Sequence, residues 1–469
     1  MEGNKGGYQV LDFIFALRTD WTGYAQAKVM KTNLYRDLLT ADDGPVAILG
    51  EGMSGRAAQK LLTAKGRVAD LFDESNRIFS PSDAQRYSYI VQSPGFRPDH
   101  AWVRMATDLG KPVVSEIDLG VSYSDHLEIV AITGTNGKTS LTSILGHIAN
   151  RLNMASIELG NIGVPISDAV ASSSVEKKII FHETSSFQSV TSRSFQPDAV
   201  LWTNFSTDHL DYHLSEREYF MAKLKLANDC ARPEHVLIGS SVETNARKFG
   251  VELNPQFQII EALTYKDIPE DIALFHKSIP QLENLAFAMC WAEKRGITKA
   301  EFFQALEGYQ PHPHRLQKVT EINGVCFWND SKSTNLASAL AACKTFPTKV
   351  IWIGGGKSKG QEIGEFCSSL DPYLHSAFLV GETAEEVAGM LTQRGIRAEN
   401  CENLKSAIDQ AYESAKGCTD ILFSPGFASF DMYSNYTERG NSFESFVFDL
   451  KSACQVITKI PVNNLQASH

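Results

Sequence analysis

The sequence predicts an α/β protein of three domains, each built on a largely parallel sheet. Short apolar runs alternate along the chain with stretches of helical spacing, the pattern of strands buried on both faces and of helices that cover them. The length, 469 residues, suits about three domains at roughly 100–200 residues each. Several apolar runs end in loops rich in Gly, Ser, Thr and Asp, and open α/β sheets bind ligands beyond the carboxyl ends of their strands.

The first region opens at Pro45–Leu49, which reads as a buried strand. Gly50-Glu51-Gly52-Met53-Ser54-Gly55 follows, then a helix through Ala57, Leu61 and Leu62. A second strand, Val68–Phe72, ends at Asp73. This is a G-x-G-x-x-G turn with an acidic residue near the distance that suits a nucleotide's ribose. A dinucleotide is one reading, another phosphate-bearing nucleotide a second, and a plain tight turn a third. The strand beginning at Ile90 ends in Ser93-Pro94-Gly95, a loop at the same sheet edge.

The second region begins around Glu116–Asp125. Its strands are Val130–Thr133, Lys178–His182, Ala199–Thr203 and His235–Ile238, and 278–309 reads as helical. The first of these strands runs into Gly134-Thr135-Asn136-Gly137-Lys138-Thr139-Ser140, and a helix pattern (Leu141, Ile144, Leu145, Ile148) follows. Glycines let backbone N–H groups approach phosphate oxygens, and the helix start adds its dipole. Lys138 is placed for terminal phosphates and the Thr139 hydroxyl for Mg²⁺. The first glycine of the usual eight-residue phosphate loop is Ile132 here, so this is a shorter variant. Glu183, at the end of the second strand, is a carboxylate placed for a divalent cation. His209, in the polar run Asn204–Asp211, suits an ion, a substrate or a structural contact.

The proline-rich stretch Gln310–Arg315 marks a boundary. The third region has strands at Val325–Trp328, Val350–Ile353, Ala377–Val380 and Asp420–Phe423, and a helix at Ser442–Lys451. Asn329-Asp330-Ser331-Lys332-Ser333-Thr334-Asn335 follows the first of these. It reads either as an anchor for a nucleotide and a charged substrate or as a helix-capping cluster. Gly354–Gly360, with Lys357 and Lys359, reads as an anion loop or as a solvated one. Ser424–Asp431 follows the last strand.

A net charge of −11 argues against a nucleic-acid-binding body. No apolar run approaches the roughly 18 residues of a membrane span. Eight scattered cysteines without a Cys-x-x-Cys give neither a disulfide framework nor a zinc site and fit a reducing, cytoplasmic setting. Residues 1–29 look like an extension, and Met30 is a natural start. Taken bottom-up, the chain is an ATP/Mg²⁺ enzyme that transfers a phosphoryl group to an acceptor that spacing does not identify.

The ordered motifs resemble the Mur ligases, ATP-dependent amide ligases of peptidoglycan synthesis. The marks are Gly-Thr-Asn-Gly-Lys-Thr at 134–139, Gly-Asn-Ile-Gly at 160–163, Glu-Thr-Ser-Ser-Phe-Gln at 183–188, Asp-His-Leu-Asp at 208–211, Ala-Lys at 222–223, His-Arg at 314–315 and Asn-Asp-Ser-Lys-Ser-Thr-Asn at 329–335. The resemblance implies a lead-in over 1–44 and a Rossmann-like UDP-sugar-binding domain over 45–117. It implies a phosphate-loop ATPase-like domain over 118–311 and a Rossmann-like amino-acid-binding domain over 312–469.

Within the family, Ser-Ser-Phe-Gln, Pro-His-Arg and Ser-Pro-x-x-Ala-Ser-Phe-Asp at 424–431 are most like the branch that joins D-glutamate to UDP-N-acetylmuramoyl-L-alanine. The alternatives are another Mur-type or folylpolyglutamate-type ligase, or a paralogue that binds UDP-sugar without ligating. The resemblance implies ATP contacts from Gly134 to Ser140 and from Asn284, Arg315, Asp330 and Lys332, with the third domain closing over the nucleotide. It implies two Mg²⁺ ions, held by Thr139, Glu183, His209 and a carbamylated Lys223. Unmodified, Lys223 reads as a helix-surface lysine. The resemblance places the UDP-sugar at Gly52, Asp73, Ser93, Pro94, Gly95 and Asn161, and D-glutamate at Thr334, Lys359, Ser429, Phe430 and Tyr436. A monomeric enzyme is expected.

Three departures stand out. Pro280-Gln281-Leu282-Glu283-Asn284 retains only the last Asn of the family's His-Asn-x-x-Asn. Gly426-Phe427 replaces a pair of small residues. The lysine loop at 354–360 is one residue longer than usual.

Overall fold

The computed structural model describes residues 33–41, 44–124, 127–161, 163–173, 178–210, 212–269, 279–360, 362–415 and 419–458. The expected extension over 1–29, the Met30 start, and Ile162 and Asp211 of the motifs lie outside them. The structure is α/β with three sheets, and the described chain divides into two compact units. Among the described residues, one comprises those within 33–134, 141–204 and 217–260, and the other those within 135–140, 205–216 and 261–458.

The first unit holds two parallel sheets. Strands β1 (Val46–Leu49), β2 (Ala69–Phe72), β3 (Ile90–Gln92) and β4 (Val113–Ser115) form the first, in the order β2-β1-β3-β4. The second uses β5 (Glu128–Thr133), β6 (Ser156–Gly160), β7 (Ile179–Glu183), β8 (Ala199–Trp202), β9 (Val236–Gly239) and β10 (Gln258–Ile260), in the order β10-β9-β8-β5-β7-β6. β1 and β5 lie inside their sheets and are apolar nearly end to end, as strands covered on both faces must be.

Glycines shape the first turn. Gly50 has φ +102, and a Cβ on Gly55 would stand 1.8 Å from the Gly50 carbonyl oxygen. Gly52 faces open space and begins the helix Met53–Ala64. That helix packs on the helix Ile166–Ala171, which also packs on the helix Glu116–Ser122, and polar groups fix this second contact. The Ser167 N–H donates to Glu116 Oε1 at 2.7 Å, and the Ser167 hydroxyl donates to the Glu116 carbonyl at 3.1 Å. Asp118 accepts from the backbone N–H groups of Ser115, Arg193 and Ser194. Burial pushes the Glu116 carboxyl up to about 7.

The third sheet lies in the second unit. Strands β11 (Gln317–Ile322), β12 (Val325–Asn329), β13 (Val350–Gly355), β14 (Leu374–Leu379), β15 (Arg397–Asn400) and β16 (Asp420–Gly426) run in the order β11-β12-β16-β13-β14-β15. Only β11 is antiparallel to its neighbour. Val350 and Trp352 enter a core with Phe366, Leu422 and Phe427, while Ile351 and Ile353 enter another with Phe378, Phe423 and Phe443. The period of two puts one core on each face.

Five strands escape the sequence reading: β4, β6, β10, β11 and β15. All are sheet edges. The C-terminal helix is also longer than expected, running Tyr436–Thr458. Among the described residues no helix is long and apolar enough to cross a membrane.

Three outcomes follow for the first unit. Gly55→Ala destabilises it by about 3 kcal/mol in denaturant unfolding, because backbone must move. Gly52→Ala costs under about 1 kcal/mol, its loss being only that of a tolerated cap residue. The raised Glu116 carboxyl gives stability that is complete below its unfolded value of 4.5 and is lost as pH rises through about 7. Glu116→Gln keeps an acceptor for the Ser167 N–H, so its melting temperature gains on the parent between pH 5 and pH 8. A constant difference across that range refutes the assignment.

Candidate active site

In the first unit the functional side chains sit at the carboxyl ends of the central strands. Glu183 is the last residue of β7 and is 2% exposed. Its Oε1 accepts from the Asn161 amide at 3.0 Å, and its Oε2 has no hydrogen-bond partner. Asn161 is held in turn, its N–H donating to the Glu183 carbonyl at 2.9 Å. Gly160, with φ +106, permits that approach, since a Cβ there would stand 2.4 Å from the same carbonyl oxygen. A carboxylate oxygen buried without a donor fits a cation, because an unpaired buried charge is otherwise strongly disfavoured.

Lys223 corrects the sequence reading. It is 1% exposed rather than on a helix surface. Its ammonium donates to the Gly134 carbonyl at 2.9 Å and to the Thr133 hydroxyl at 3.3 Å, and it lies 4.8 Å from the centre of the Tyr219 ring. Helix spacing alone did not reveal this, because Lys223 lies among Tyr219, Phe220, Ala222 and Leu224, all buried. Beside Glu183, His182 is fully buried and its imidazole is held neutral, burial lowering it to about 4.

The G-x-G-x-x-G turn gathers its expected residues. Asp73 accepts from the Glu51 N–H at 3.2 Å and from the Ser75 hydroxyl at 2.7 Å. The Ser75 bonds, first of all, hold its carboxyl below the usual range. Ser93 packs on Gly50, its N–H donating to the Leu49 carbonyl, and the turn through Pro94 and Gly95 follows.

The second unit contains the phosphate loop itself. Gly137 has φ +85, and a Cβ there would stand 2.5 Å from Asn284 Oδ1. Asn284 is buried, and its amide donates to Gln281 Oε1 at 3.0 Å. The retained Asn therefore lies against the loop, with Gln281 orienting it. The Lys138 ammonium donates to the Thr135 carbonyl at 3.1 Å, and Thr139 and Ser140 are buried at the helix start. The Thr135 hydroxyl donates to the Ser206 carbonyl at 3.0 Å.

Asp208 is the acidic residue that sequence reasoning passed over. It is 7% exposed. Its Oδ1 accepts from the Lys359 ammonium at 3.2 Å and from the His209 N–H at 2.8 Å, while Oδ2 accepts from the Asn335 amide at 3.2 Å. Burial alone would raise its carboxyl, but the His209 and Lys359 charges and these bonds leave it lowered. Lys359, expected in an amino-acid pocket, is thus engaged with Asp208. His209 has φ +55, and its Nε2 lies 3.8 Å from Asp208 Oδ2.

The loops beyond β13 and β16 are stitched together. The Lys357 N–H donates to the Ala428 carbonyl and the Ala428 N–H to the Lys357 carbonyl. Arg439, also unforeseen, is buried and donates to the Ser331 and Phe427 carbonyls. Ser429 is buried, whereas Phe430 is 68% exposed. The Lys332 ammonium lies 3.7 Å from the centre of the Tyr436 ring. Asp330 accepts from the Leu316 N–H at 3.1 Å and the Ser424 hydroxyl at 2.7 Å, and burial pushes it up to about 7. Arg315 lies between His314 and Leu316, at φ +61 and +45. Thr334 precedes the Asn335 cap of the helix Leu336–Lys344.

Among the described residues no cluster of three His, Cys, Asp or Glu could hold a metal. The arrangement instead suits Mg²⁺, which uses one or two carboxylates together with phosphates and water.

The Mur ligase middle domain matches residues 132–259, and the Mur ligase, glutamate ligase domain matches 314–426. A UDP-N-acetylmuramoylalanine–D-glutamate ligase from Caldicellulosiruptor bescii is 31% identical over 447 residues, covering 86% of this chain and 97% of the relative. A protein of the same name from Aquifex aeolicus is 31% identical over 410 residues, covering 85% and 97%. The crystal structure of the MurF ligase from Thermotoga maritima in complex with ADP shares the fold, with a TM-score of 0.52 at 14% identity, covering 88% of this chain and 99% of that one. With both domains matched and nearly the whole length of those relatives spanned, the chain belongs to the Mur ligase family.

Proposed function

We propose that the chain is an ATP-dependent amide ligase that joins D-glutamate to UDP-N-acetylmuramoyl-L-alanine in peptidoglycan precursor synthesis. Glu183 carries the reading. It is a buried carboxylate with one oxygen held by Asn161 and the other without a donor. It ends a strand whose neighbour, β5, runs into Gly-Thr-Asn-Gly-Lys-Thr. Relatives bearing the ligase name match the chain over 97% of their length. The use of ATP and a nucleotide-linked substrate supports a cytoplasmic reaction.

The chemistry divides into two steps. The terminal carboxylate of the UDP-linked substrate attacks the γ-phosphorus of ATP, ADP leaves, and an acyl phosphate forms. The D-glutamate amine attacks the acyl carbon and loses a proton, and phosphate departs with its bonding electrons. Lys138 and the loop N–H groups offset the charge on the transferring phosphoryl group. Mg²⁺, when bound, would supply Lewis acidity there, and the Thr139 hydroxyl and the bare Glu183 oxygen would be the groups of this chain that hold it. His209 would hold a second ion.

Lys223 fits this chemistry once carbamylated. The ammonium first gives a proton to solvent, carbon dioxide adds to the neutral amine, and the carbamic acid so formed loses a second proton, so that the buried cation becomes a carboxylate that can face a metal. The tyrosine beside it and its burial keep that group from bulk water. Gly52, Asp73, Ser93, Pro94, Gly95 and Asn161 serve the UDP-sugar. Thr334, Ser429, Phe430 and Tyr436 serve the amino acid, and Lys359 meets one of its carboxylates. Asn284, Arg315, Asp330 and Lys332 serve ATP.

Phosphate release from ATP, Mg²⁺ and UDP-N-acetylmuramoyl-L-alanine is expected with D-glutamate and not with other single amino acids. Release with a different amino acid moves the chain elsewhere in the family. Glu183→Gln lowers kcat by about 10²–10³-fold, as loss of a transition-state charge partner does. Removing dissolved CO₂ lowers turnover, and bicarbonate restores it. Unchanged turnover in CO₂-free buffer means that Lys223 works as an ammonium.

A further inference from the structure

One side chain in the second unit joins three loops. Asn335 is 4% exposed and ends the polar run after β12. Its amide nitrogen donates to Asn136 Oδ1 in the phosphate loop at 3.0 Å and to Asp208 Oδ2 at 3.2 Å. Its carbonyl oxygen accepts from the Ser338 N–H at 2.9 Å. The single hydroxyl hydrogen of Ser338 is shared between this oxygen and Asn136 Oδ1, each 2.8 Å away. On the far side, Asp208 holds the Lys359 ammonium at 3.2 Å. A primary amide has two N–H donors and one carbonyl acceptor, and here all three capacities are used.

We infer that Asn335 is a positioning residue that couples the phosphate loop to Lys359, so that occupancy by nucleotide sets the lysine that meets the incoming amino acid. The inference rests on the ligase reading above. The physical argument is one of shared donors. Asn136 has no freedom to turn without releasing one Asn335 N–H, and Asp208 has no freedom to release Lys359 without disturbing the other. Ser338 braces the same oxygen of Asn136, which fixes which way that amide faces. Polar networks with every member satisfied move as a unit, whereas a gap in one uncouples its parts. Asn335 also caps the helix Leu336–Lys344, so a plain capping role has to be separated from the coupling role.

Asn335→Ser makes that separation. Serine caps helices about as well as asparagine, but its single hydroxyl cannot reach both Asn136 and Asp208. The full-length protein is studied by ADP titration with Mg²⁺ and by steady-state kinetics. Asn335→Ser is expected to weaken ADP binding about tenfold and to raise KM for D-glutamate about tenfold. KM for UDP-N-acetylmuramoyl-L-alanine and the melting temperature stay at parental values. In the parent, saturating ADP alters D-glutamate affinity in direct binding, and in the variant that dependence disappears. Asn335→Ala adds loss of the cap and lowers the melting temperature as well.

Parental ADP affinity and parental D-glutamate KM in Asn335→Ser overturn the inference and leave Asn335 a cap. A weakened ADP affinity with an unchanged nucleotide dependence of D-glutamate binding overturns the coupling. If the parent releases no phosphate with D-glutamate, the ligase reading fails separately. The ADP titration still decides whether Asn335 positions the phosphate loop.

Discussion

A carboxylate taken out of water needs donors for both oxygens, and Glu183 finds them for one. Asn161 holds the first oxygen, and β7 ends so that no other donor reaches the second. Much of the first unit serves that placement. Gly160 lacks a side chain so that the Asn161 backbone can close on β7. Asp118, at the other end of the ledger of buried acids, is surrounded by backbone N–H groups and asks for nothing more. The contrast separates carboxylates that hold the fold from one kept ready for a cation.

The second unit solves a similar problem with shared partners. Asp208 stays ionised although buried, because Lys359, His209 and Asn335 all face it. Gly137 and Asn284 show the same economy of space, since the loop glycine has no side chain where the asparagine carbonyl sits. Arg439 threads under the loops after β12 and β16 and ties their carbonyls, which fixes the walls around Ser429.

The interior of this fold was legible and its margins were not. β1, β5, β8, β13 and β16 announce themselves by apolar runs, because both of their faces are covered. β15, with the sequence Arg-Ala-Glu-Asn, and β11, with Gln-Lys-Val-Thr-Glu-Ile, carry the charges that protect sheet edges, and so read as loop. The motif residues that touch phosphate or metal in the proposed chemistry stand in local runs with a recognisable order. The burial of Lys223, the pairing of Lys359 with Asp208 and the depth of Arg439 are products of tertiary packing. No local spacing encodes them, although Asp208 and Asn335 stood in plain view within motifs read for their neighbours.

The strand order of the third sheet has a consequence for how this chain is made. β16 is the last strand in sequence and lies between β12 and β13, at the middle of the sheet. Until the ribosome has released residues past 426, the sheet is two separate pieces with exposed apolar edges. Completion of this sheet therefore waits for Asp420–Gly426 to emerge, and the unpaired strand edges stay open to other partners until then. A nascent chain that stops short of β16 has a two-stranded and a three-stranded piece and lacks the strand that joins them.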